Sequence, residues 1–207
     1  MSIFDVTNNI MNTVSNSLLF PVILVLVILA FLSLILIGEF LSEYAKRNRN
    51  SQDLKNACLE LHAHVEQSNY RAAADTLRNV KQTFIVTSFA QAAAEHMEKN
   101  RIPAIEWLSQ EYEIKMSKKL EFTRIISTIG PMLGLMGTLI PLGPALVALA
   151  GGDLLTLANN LMIAFATTVV GLFAASITFV LTQIRKRWYW QDMADIDYIL
   201  DSIEVKA

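Results

Sequence analysis

Three apolar runs interrupt an otherwise charged chain. Leu18 to Ile37 carries no ionisable side chain, and from Ile125 to Ile184 the only one is Asp153. A helix needs about 20 apolar residues to cross the ~30 Å hydrocarbon layer of a bilayer. The first run is long enough for one crossing. The second is long enough for two, with Gly151-Gly152-Asp153 as a tight turn between them. The pattern predicts transmembrane helices over 18–38, 125–149 and 155–184. A turn at 150–154 makes the last two an antiparallel hairpin.

The polar stretches predict helix as well. Residues 39–124 are rich in Ala, Leu, Glu, Lys and Gln, lack glycine, and hold one proline, Pro103. Good helix formers without breakers read as helix. Pro103 fits the first turn of a new helix. Nothing breaks the pattern from Ala104 to Gly130-Pro131, so one helix is expected to run from the polar segment into the second crossing. The third crossing is expected to continue past Arg187, through Trp188, Tyr189 and Trp190, to about Ile203. Residues 1–17 form a short polar lead and 185–207 a C-terminal helix. The fold class is an all-α membrane protein with three transmembrane helices and long helical extensions.

Charge placement orients these elements. Residues 1–45 contain no Lys or Arg; Lys46, Arg47 and Arg49 follow the first run at once. Lys115, Lys118, Lys119 and Arg124 precede the second, and Arg185, Lys186 and Arg187 follow the third. Lys and Arg near span ends stay cytoplasmic. The N-terminus is therefore expected outside, 39–124 and the C-terminus in the cytoplasm, and the protein in the cell membrane as a multi-pass chain. A cleaved signal peptide wants a basic lead and a short apolar core. Here the lead holds only Asp5 and the basic cluster lies after the core. Only 17% of residues are charged and mean hydropathy is +0.40, against roughly 25% charged in soluble domains. The net charge of -2 gives no bulk attraction to nucleic acid. The single cysteine, Cys58, excludes a disulfide framework within the chain.

The hairpin carries a polar seam. Ser127, Gly130, Gly134, Gly137, Pro141 and Pro144 recur at steps of 3, 4, 3, 4 and 3, which puts them on one helical face with Thr138 beside it. Small residues at that spacing let helix backbones approach closely in lipid. In the third run Asn160, Ala164, Thr168, Gly171, Ala175, Thr178 and Thr182 follow the same rule. Hydroxyls in membrane helices often only bond a carbonyl one turn back. Two aligned polar faces on adjacent helices favour a lining that meets water or a partner helix. None of the apolar cores holds an Asp, Glu, Lys, Arg or His. A proton pathway needs an ionisable relay at depth. The chain is thus either no transporter or half of one, with the titrating group on another subunit.

Two segments carry a family resemblance. Ile129-Gly-Pro-Met-Leu-Gly-Leu-Met-Gly-Thr-Leu139 resembles the second-span signature of the MotA/TolQ/ExbB proton-channel family, of the form A-P-L-L-G-L-L-G-T-V. Phe165-Ala-Thr-Thr-Val-Val-Gly-Leu-Phe-Ala-Ala175 is similar to the third-span signature, A-L-x-A-T-A-x-G-L-x-A-A. The order of one span, a large helical segment, a hairpin and a basic tail matches too, with a size closest to the ExbB/TolQ branch. The resemblance implies a homo-oligomer, a pentameric ring, around transmembrane helices of a single-span partner like ExbD, TolR or MotB. That partner brings a membrane Asp as proton carrier. It implies that Thr138 and Thr168 line the ion pathway; the spacing puts Ser127, Gly130, Gly134, Gly137, Asn160 and Gly171 on the packing and pore face. The function expected from this is a proton-driven, or sodium-driven, membrane motor or energy transducer, with no cofactor. The alternative is a non-conducting membrane scaffold.

There are departures. Family members of the ExbB type often carry Glu five residues before the third-span Thr; here that place is Ile163. Pro141 and Pro144 stand where Gly or apolar residues are common in the ExbB type, and a kink is expected at the outer end of the second span. Glu39 resembles a family Glu and otherwise reads as a solvated interface residue. Cys58, His62 and His64 give too few ligands for a four-coordinate zinc site. No nucleophile elbow or Walker-type loop is visible, and no enzymatic activity is expected.

Overall fold

A computed structural model describes residues 3–204; Met1 and Ser2 of the expected lead and the last three residues of the expected C-terminal helix lie outside the described residues. Among the described residues the chain is all helical: α1 (Ile3–Lys46), α2 (Ser51–Glu66), α3 (Tyr70–Asn79), α4 (Phe84–Glu98), α5 (Ile102–Ala150) and α6 (Leu154–Ile203). Three of them are long and apolar enough to cross a membrane: α1 from Asn16, α5 and α6. The chain divides into two compact units.

The first unit comprises Met1–Glu39 and Phe122–Thr182. Val22 and Leu26 of α1, one turn apart, pack with Ile140 of α5, and Leu133 and Val170 border them. Ser33 of α1 is fully buried and donates to the Ala30 carbonyl at 2.7 Å. The expected polar lead is not a separate element, because residues 3–17 already belong to α1.

The second unit comprises Phe40–Glu121 and Gln183–Ala207. Its polar sequence is divided more finely than the breaker-free pattern implies. Three short helices fill 51–98. Each starts at a polar cap: Asn50 accepts from the Gln52 and Asp53 amides, Asn69 from Ala72, and Thr83 from Val86. Such caps satisfy amides that have no partner inside the helix. Ser68 and Asn100 take the left-handed turn that glycine usually supplies, at φ 55° and 50°. A polar side chain eases that conformation, and Asn most of all. The absence of glycine therefore hid two helix ends.

The core of this unit is a stripe from each helix. Leu54, Cys58, Leu61 and Val65 of α2 meet Phe89, Ala93 and Met97 of α4, and Ile196, Ile199 and Ile203 of α6. Burying each large side chain contributes roughly 1.5–3 kcal/mol. The link after α1 is clamped to α6. Arg47 donates to both Asp192 oxygens, at 3.2 and 2.9 Å, and lies over the Trp188 ring. Arg49 pairs with Asp195 through two bonds of 2.7 Å. Thr83, at the head of α4, donates to Asp192 at 3.1 Å. Phe40 and Tyr44 stack on Trp188. Arg185, only 1% exposed, donates through Nε to Glu43 at 3.1 Å.

Candidate ion-pathway site

The hairpin of α5 and α6 closes on glycine. A Cβ placed on Gly171 would stand 2.6 Å from the Gly130 carbonyl oxygen, and one on Gly130 would stand 2.9 Å from the Gly171 oxygen. Backbone meets backbone there, so both positions need the missing side chain. At Gly137 an added Cβ would lie 2.6 Å from the Thr167 side chain. At Gly134 it would reach only ordinary contact, 3.5 Å from the Thr167 oxygen and the Thr168 Cα. The packed face of α5 is Thr123, Ile126, Gly130, Gly134, Gly137, Pro141 and Ala145. Facing α6 residues include Ala164, Thr167, Gly171, Ala174, Ala175 and Thr178.

Two positions of the expected stripe fall off it. Pro144 is exposed, and Ala145 takes its place in the buried row. After Pro141 the step is four residues, not three. Ser127 is half-buried and donates to the Arg124 carbonyl of its own helix at 2.8 Å. Asn160 likewise serves its own helix, donating to the Thr156 carbonyl at 2.9 Å. Asp153 caps α6 by accepting from the Thr156 amide at 3.0 Å. That capping threonine holds its carboxylate below the usual range, so the turn keeps its charge.

Thr138 and Thr168 are both half-buried. Thr138 donates to the Leu135 carbonyl at 2.7 Å. Thr168 is directed to two carbonyls, Ala164 of its own helix at 3.3 Å and Gly134 across the seam at 3.5 Å. The two hydroxyls do not bond each other. Each offers its proton to the backbone and keeps lone pairs on the other side. A hydroxyl has one proton and two acceptor positions. Chemically these positions are acceptors without charge.

Two hydroxyls were missed as site neighbours. Thr167 is buried and donates to Ala164 and Ile163 carbonyls at 2.9 and 3.0 Å while filling the notch at Gly137. Thr123 is fully buried and lies 2.8 Å from the Thr182 hydroxyl. The three-and-four spacing carried one turn back from Gly130 through Ser127 reaches Thr123. Thr167 sits four residues before Gly171, on the same rule.

The model of the MotA/TolQ/ExbB proton channel family matches residues 76–196, more than half of the chain. The chain belongs to the MotA/TolQ/ExbB proton channel family. The match covers both motif segments and the polar segment from α3 onward. No curated protein and no solved structure matches the chain. Membership of a membrane-channel family agrees with the three apolar helices and supports a membrane location.

Proposed function

We propose that this chain is the ring-forming subunit of an ion-driven energy transducer in the cell membrane, in the ExbB/TolQ branch of its family. It conducts together with a single-span ExbD-, TolR- or MotB-like partner that supplies the titrating membrane Asp. The observation that carries the reading is a proton-channel hairpin with no ionisable side chain between Ile125 and Ile184 except Asp153 in the turn. A pathway at depth needs a titrating group. The family supplies it from the partner, and this hairpin supplies uncharged acceptors at Thr138 and Thr168. Size and the single span before the polar segment favour the ExbB/TolQ branch. The N-terminus outside and the C-terminus in the cytoplasm follow from the basic clusters at span ends.

The test is ion uptake into vesicles holding this chain and its partner, with Thr138→Val and Thr168→Val against the parent. Valine keeps the shape and removes the hydroxyl. Both substitutions reduce flux while the assembly stays intact on native mass spectrometry. Unaltered flux rejects the pathway assignment. The second reading, a non-conducting scaffold, draws on the fact that both hydroxyls already bond backbone carbonyls. It requires no flux in the parent either. Repeating the assay with a proton gradient and then a sodium gradient separates the two ions.

A further inference from the structure

The most exposed large apolar side chain among the described residues lies outside the apolar runs. Phe84, the first residue of α4, is 83% exposed. It is held firmly. Thr83 before it donates to Asp192, and Gln82 bonds Asn50 through both its side-chain oxygen and nitrogen, at 2.9 and 2.6 Å.

Its neighbours say what it is presented to. Ile85 packs in the cluster of Phe40, Leu120, Ile184 and Trp188. Ile184 closes the third apolar run, and Phe40 stands just beyond the first. One turn further along α4, Phe89 meets Tyr112 edge-on at 5.7 Å. Tyr112 is further from the second apolar run than Leu120. Within this unit α4 therefore starts, at Phe84, beside Phe40, Leu120 and Ile184, the residues nearest the apolar runs in the sequence, and leads away from them. Leu41 and Tyr44, which follow Phe40 in α1, are exposed as well. Lys81, three residues before Phe84, is exposed, as are Lys186 and Arg187 just after Ile184.

We propose that Phe84 and Lys81 seat the first turn of α4 in the headgroup layer of the adjacent leaflet, an anionic lipid surface. Aromatic residues favour that layer, and cations beside them meet lipid phosphates. The proposal rests on the bilayer placement of the three spans, and not on ion conduction.

The experiment uses the full chain in nanodiscs of phosphatidylethanolamine and phosphatidylglycerol. Spin labels go on Phe84→Cys, on Phe31→Cys as the lipid-facing reference and on Lys99→Cys as the aqueous reference. Each is read for collision with oxygen and with a water-soluble nickel chelate. The buried Cys58 stays in place, with the unaltered chain as blank. Phe84 should show oxygen access near that of Phe31 and chelate access well below that of Lys99. Replacing phosphatidylglycerol with phosphatidylcholine should raise its chelate access, and Lys81→Gln should abolish that lipid dependence. Water-like behaviour at Phe84 overturns the proposal. So does protection from both reagents, which would mean a protein, such as a second copy, covers it. If Phe31 itself proves water-accessible, the bilayer placement fails and the proposal with it.

Discussion

Alanine at Gly171 probes the tightest point of the hairpin. Its new methyl would lie 2.6 Å from the Gly130 carbonyl oxygen and 3.1 Å from the Gly134 Cα. Ordinary contact starts near 3.4 Å, so the two helices must part by about 0.8 Å at the crossing. Neither neighbour is a rotatable tip, and no side-chain motion relieves the clash. A gap of 0.5–1 Å forfeits roughly a quarter to a half of the attraction between facing atoms. Overpacking of this kind costs about 1–3 kcal/mol, against which alanine's helix preference returns up to ~1 kcal/mol. With the full offset the net expectation for Gly171→Ala is a loss of up to about 2 kcal/mol. Gly130→Ala should follow the same course more mildly, since its contact is 2.9 Å. Gly137→Ala meets Thr167 at 2.6 Å, at its Cβ as well as its hydroxyl, and should also destabilise. Gly134→Ala, with 3.5 Å of room, should be neutral or slightly stabilising. The assay is reversible unfolding of the purified protein in mixed micelles by dodecyl sulfate, followed by circular dichroism. The gradient among the four glycines is the test. A Gly134→Ala loss equal to or larger than that of Gly171→Ala refutes the packing account.

Further outcomes follow from the second unit. Burial pushes the Cys58 thiol up, so its thiolate is scarce at neutral pH and alkylation of the folded chain should be far slower than that of the unfolded chain. Equal rates in the two states at pH 8 would contradict its place in the core. Asp192→Ala should cost about 3–5 kcal/mol in chemical unfolding, because it strips a buried partner from Arg47 and Thr83. Asp195→Ala should cost clearly less, since Arg49 is 31% exposed and water can replace the carboxylate. Equal losses for the two would mean that burial does not set the strength of the clamp.

The long helices were legible because apolar length and the absence of charge report directly on membrane crossing. The run through Arg185-Lys186-Arg187 to Ile203 could be read because nothing in it breaks a helix. The ends of α2 and α4 could not, because Ser68 and Asn100 adopt a left-handed turn that sequence logic reserves for glycine. In the hairpin the small-residue spacing located the glycine face but not its order of importance. Gly134 sits centrally in the motif and yet has room, while the two backbones touch at Gly130 and Gly171. Spacing fixes azimuth on a helix, whereas closeness depends on where the two axes cross. The same limit explains Pro144. A stripe extrapolated by threes and fours passes over the change of step that follows Pro141.

The orientation of the hydroxyls bears on how such a hairpin would serve a partner's acid. Thr138 and Thr168 each commit their single proton to a backbone carbonyl. What remains toward the other side is a pair of acceptor positions. A protonated carboxyl donates and finds acceptors waiting. An ionised carboxylate accepts only, and must first turn a hydroxyl away from its helix. On the proposed reading the two threonines would favour the neutral form of the carrier without contributing charge. A buried carboxylate is already costly, and this bias adds to the same direction. In the proposed ring, loading a proton would stabilise the partner's acid, and losing it would call for water or a rotated threonine. Serine at either position keeps this chemistry and valine abolishes it. A chain with no ionisable group at depth would in this way influence the titration of a group it does not own.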